Sequence, residues 1–192
     1  MGYPPDMQPP PAIVAMLQQN QARCSGLERA RFNDAWKSLA QAALSGNVAA
    51  MSLYGRAPPI AHLDQIDAAE ALIIYRDNAE RFLTQAIEGG DVMALYAMWW
   101  HSAVKTGTGR ALFKVDPYRA TVYANAALPL LDERRRGNVT RMDGLLGQQL
   151  DAAQAAKARA EGETLRARYF ARSPRALDTQ NDAYFLPGDC DR

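Results

Sequence analysis

Histidine and cysteine are scarce in this chain, two of each, and that scarcity removes several kinds of chemistry before any motif is read. With His62 and His101 alone, a multi-histidine metal site within one chain is excluded, and no metal or other cofactor is expected. His62-Leu63-Asp64 offers a base beside an orienting carboxylate. A polar loop after the diproline Pro58-Pro59 is the commoner home for such residues, and no nucleophile or substrate can be placed within reach, so no catalytic residue is assigned. Charge of one sign is also lacking. The 22 Lys and Arg against 21 Asp and Glu leave a net charge of +1, too little to gather the cationic face that phosphate binding needs, so nucleic acid is not expected as a partner. Arg134-Arg135-Arg136 stands beside Asp132 and Glu133 and reads as a solvated charged turn.

Long apolar runs are absent too. No stretch of about eighteen apolar residues occurs, so nothing is expected to span a membrane. The opening MGYPPDMQPPPA has neither the cationic start nor the apolar centre of a secretory leader. Its prolines read as a disordered tether over residues 1–12, or as the start of a mature chain. The cysteines lie near the two ends, Cys24 and Cys190. An even pair so placed suits a disulfide that closes the molecule and implies a periplasmic or secreted protein; two buried thiols in a cytoplasmic protein are the alternative.

What is present is helical periodicity punctuated by glycine. Phe82, Leu83, Ala86 and Ile87 share a helical face, and Gly89-Gly90 supplies the residue without a Cβ that a left-handed helix end requires. Asp91 is placed as an N-cap, and Val92, Leu95, Met98, Trp99 and Ser102 resume helical spacing. Gly107-Thr108-Gly109 ends that helix; because it follows a helix and not a strand, it is a helix-repeat loop and not a phosphate loop. Asp116-Pro117 opens the next helix as N-cap and first-turn proline.

The segment Ala35–Tyr54 repeats this grammar. Gly46 precedes Gly90 by 44 residues (90 − 46), and at that offset Ala35, Leu39, Gln41, Ala42, Asn47, Val48, Ala50 and Met51 fall on Ala79, Leu83, Gln85, Ala86, Asp91, Val92, Ala94 and Leu95. Most pairs are identical and the rest are close in kind, the mark of stacked units. A third, partial copy carries Asp116, Ala120, Tyr123 and Ala127.

These pieces resemble the Sel1-like repeat family, relatives of the tetratricopeptide repeats. The alanine pair is Ala42-Ala43, the turns are Gly46-Asn47 with Ala50 and Gly90-Asp91 with Ala94, the Gly-x-Gly loop is Gly107–Gly109, and Asp116 with Ala120 opens the Ala-rich helix. The resemblance spans roughly Phe32 to Leu131; Trp99 stands where the family has a small glycine, and Pro58-Pro59 belongs to an insertion. It implies an all-α helical-repeat solenoid. An N-terminal helix would precede it and a long C-terminal capping helix would follow, in one domain over residues 13–172 with an irregular tail over 173–192.

Around that core, Ile13 to Cys24 reads as a short helix, and Ser25-x-x-Glu28 as a capping box opening a helix to Leu44. A long helix is expected from Ile66 to Glu88. Asp132 to Gly137 reads as a charged connector, and Thr140-x-x-Asp143 as the start of a helix reaching Phe170. Its inward side would carry Met142, Leu145, Leu146, Leu150, Ala153, Ala156 and Ala160.

For function, the resemblance implies a non-enzymatic scaffold that holds a protein or peptide on a concave face. The aromatic run Tyr96, Trp99, Trp100 is the candidate anchor: successive helical residues are about 100° apart, so a core Trp99 leaves Tyr96 and Trp100 towards a neighbouring face, with Tyr54 and His101 near them. The other arrangement places all three aromatics in the core. Two further readings remain open, a hydrolase acting on cell-wall or small-molecule substrates, and an immunity or inhibitor protein that plugs a toxin.

Overall fold

The computed structural model describes residues 29–56, 65–103 and 113–171, and among them every regular element is helical, with no strand. The helices are α1 (Arg29–Leu44), α2 (Val48–Arg56), α3 (Gln65–Glu88), α4 (Val92–Ala103), α5 (Pro117–Ala127), α6 (Glu133–Gly147) and α7 (Ala152–Phe170), with one 3-10 turn at Leu128–Leu130. No described helix is long and apolar enough to cross a membrane. The expected tether, the helix over Ile13–Cys24, the Ser25–Glu28 box and the tail from Ser173 lie outside the described residues.

Two turns, 44 residues apart, are built alike. Gly46 and Gly90 take φ of +93° and +81°, a region that L side chains rarely enter. In the first turn the Asn47 N–H donates to Ala42 O at 3.1 Å and the Gly46 N–H to Ala43 O at 3.1 Å; in the second, Asp91 donates to Ala86 O and Gly90 to Ile87 O, both at 2.9 Å. This paired closure satisfies helix-end carbonyls that would otherwise be orphaned. Each turn then caps the following helix: Asn47 Oδ1 accepts from Ala50 N at 3.0 Å and Asp91 Oδ1 from Ala94 N at 2.8 Å. Ser52 Oγ also donates to Asp91 Oδ1 at 2.9 Å, so the second turn is fastened to the side of α2.

Helix α4 is the hub. It packs on α3 and α5 and also touches α2 and α6. Every residue from Val92 to Trp99 is buried, as expected of a helix that is apolar on all sides. Trp99 is fully enclosed, together with Tyr54, Tyr75, Leu83 and Leu95. At the 44-residue offset Trp99 is equivalent to Gly55 (99 − 55), and the two positions solve opposite packing problems. A Cβ at Gly55 would overlap Leu83 of α3, so glycine there admits the neighbouring helix. Trp99 instead fills the space in its own unit.

The C-terminal third departs from expectation. Asp132 to Gly137 is not a connector: Asp132 is the N-cap of α6, its carboxylate accepting the Arg135 N–H at 2.9 Å and the Arg135 guanidinium as well. Arg136 donates to Leu128 O and Leu131 O, at 3.2 and 2.9 Å. The charges that suggested a solvated turn are thus used locally, to cap one helix and close the turn before it. Thr140 and Asp143 lie inside α6 and start nothing. The single long helix is in fact two, because Asp151 opens α7 with a capping box in which Gln154 N donates to Asp151 Oδ1 (2.7 Å) and Asp151 N to Gln154 Oε1 (3.1 Å). That restart resets the helical phase. Ala153, Ala156 and Ala160 therefore face solvent, Leu145 is exposed, and α7 buries Ala158, Gly162 and Phe170 against the body.

Candidate functional site

The last turn of α4 carries a large aromatic that the body leaves substantially open. Trp100 is 40 % exposed, and its ring leans on Trp99 with centroids 5.8 Å apart. Tyr96 is 5 % exposed and lies 5.1 Å from the Trp99 ring. The difference follows from helix geometry. Tyr96 is only about 60° around the axis from Trp99 and shares its buried side, whereas Trp100 is about 100° away in the other direction. Tyr54 is likewise enclosed, 2 % exposed, stacked on Tyr75 at 5.6 Å and set edge-on to Phe82 at 5.1 Å. Of the four residues expected to line a groove, Trp100 is exposed and His101 half-buried, whereas Tyr54 and Tyr96 are enclosed in the core.

His101 is held by two contacts not anticipated from sequence. Its Nε2 is 3.0 Å from Gly55 O, an atom that can only accept, so Nε2 carries the proton. Its ring stacks on Phe113, centroids 4.2 Å apart and planes 12° from parallel. The same Gly55 carbonyl accepts from Tyr75 Oη at 2.7 Å, and Tyr75 meets Phe113 edge-on. One carbonyl of α2 thereby gathers side chains from α3 and α4. Burial pushes the Tyr75 phenol far up, with Tyr54 adding to the effect. The available signal for this node was Gly55, a glycine aligned with the largest side chain of the second copy.

Burial lowers the His101 pKa, and the bond to Gly55 O offsets part of that effect. A lowered folded-state pKa means that His101 contributes stability fully above the ordinary imidazole value of about 6.5 and loses it as pH falls through the folded value. The melting temperature should therefore decline between pH 7 and pH 5. His101→Gln, which keeps a donor for Gly55 O, should flatten that decline; equal slopes in variant and wild type would assign the effect to other groups.

His62, Asp64 and the Gly107–Gly109 loop lie outside the described residues, as do Cys24 and Cys190 and the disulfide expected between them. Among the described residues no group of three or more His, Cys, Asp or Glu side chains is placed to hold a metal ion. No family model matches the chain, and neither a curated protein nor a solved structure does.

Proposed function

We propose that this chain is a non-enzymatic scaffold of Sel1-like helix pairs that holds a protein or peptide against the face of α4 marked by Trp100. The repeat reading is supported by the two turns with matched hydrogen bonds at a 44-residue offset and by the contact between α2 and α4, the helices that follow those turns. The binding reading rests on one observation: on a helix otherwise almost wholly enclosed, the most costly apolar side chain to leave in water is 40 % exposed. A large aromatic ring brings much contact area with few rotatable bonds, which is why such residues serve as anchors in interfaces.

Selection of a displayed peptide library on the full chain tests this. Peptides enriched on the wild type should bind Trp100→Ala at least tenfold more weakly, since an anchoring aromatic contributes about 2 kcal/mol or more. Helicity by circular dichroism should not change. Equal capture by both proteins would remove Trp100 from the site.

A further inference from the structure

Most glycines of the described body have a backbone or packing reason to be glycine. Gly46 and Gly90 need positive φ, and a Cβ at Gly55, Gly89 or Gly162 would press into another helix. Gly137 and Gly144 have neither reason. Both lie within α6, both are exposed, and nothing stands within 4 Å of where a Cβ would be. Their remaining effect is on the helix itself, because glycine in an exposed helix interior lowers its stability relative to alanine.

The docking of α6 is weak in a matching way. Its fully buried apolar side chains are Val139 and Leu146, with Met142 half-buried. Between them Asp143 is turned towards Thr121 of α5 and Arg159 of α7, and burial raises its pKa despite both. Asp143 Oδ1 and Thr121 Oγ1 are shut off from water and face each other, in a contact that falls short of good hydrogen-bond geometry. Such a contact gains hydration when it opens, where an apolar one would lose burial. The first turn is different, pinned through Asp132, Arg135 and Arg136 to the turn at Leu128–Leu131.

We propose that α6 beyond Gly137 is a releasable strap, which undocks from α5 in the native state while its first turn stays fastened and α4, α5 and α7 remain packed. Release uncovers the Thr121 face of α5, beside the helix that carries Trp100. The proposal stands independently of what binds Trp100.

Hydrogen exchange followed by mass spectrometry on the full chain at low denaturant tests it. Amides of residues 139–147 should exchange at least tenfold faster than those of 120–127, at rates insensitive to denaturant, because a local opening exposes little new surface. The double variant Gly137→Ala, Gly144→Ala should slow exchange in 139–147 about thirtyfold and leave α5 unchanged. Equal protection and equal denaturant slopes in the two helices of the wild type would overturn the proposal. So would alanines that slow both helices alike, or neither.

Discussion

Trp99→Ala should remove about 3–5 kcal/mol of unfolding free energy, the range for emptying a large aromatic site in a core. Trp99 has no exposed surface and touches Tyr96 and Trp100 within a helix that packs on α3 and α5. Little nearby can collapse into the space, since neighbouring helices are held at close range by Gly55 and Gly89. Domains are stable by only about 5–15 kcal/mol, so the variant should melt at least about 6 °C lower and unfold at clearly lower denaturant. Trp99→Phe should be milder, because the indole Nε1 is buried without a hydrogen-bond partner and its removal relieves an unpaired donor. Denaturant midpoints of the three proteins check both statements; a loss of less than about 1 kcal/mol for the alanine variant would show that the helices close around the gap.

The second large effect is expected at Gly162. A Cβ there would stand 2.5 Å from Val122 O, 2.9 Å from Asn125 Cβ and 3.2 Å from Ala126 N. Two of these are backbone atoms of α5 and cannot rotate away, so even Gly162→Ala must push α7 off α5 as a body. The cost should be about 1–3 kcal/mol, and Gly162→Leu should cost more and free α7, with loss of near-ultraviolet circular dichroism as the readout. Alanine at Gly137 provides the contrast: the same added methyl meets nothing within 4 Å and should stabilise. Opposite signs for one chemical change would separate a glycine required by packing from one that merely loosens a helix.

Local signals carried much of the fold into view. The turns at Gly46 and Gly90, the caps at Asp91 and Asp116, the end of α3 at Glu88 and the start of α4 at Val92 all depend on groups within a few residues of one another, and each stands where its residues placed it. The region from Asp132 misled for the same reason. A charge run has no single local meaning: here Asp132 caps α6 through Arg135, while Arg136 closes the preceding turn on Leu128 O and Leu131 O. On α7, the expected inward alanines point outward, since the register was carried across a break at which Asp151 starts afresh.

The candidate site divides along that line. Backbone dihedral preference and hydrogen-bond spacing act over about one helical turn, so residue order alone was enough to place the two matched turns at Gly46 and Gly90, 44 positions apart. Which aromatic meets water was left to the assembled body. Tyr54, Tyr96 and Trp100 have similar appetites for burial, and the neighbours that enclose the first two and spare the third come from helices distant in the chain. The pairing of His101 and Tyr75 on a single carbonyl of Gly55 is of the same kind: residues 46 and 20 positions from that atom meet only when α2, α3 and α4 pack.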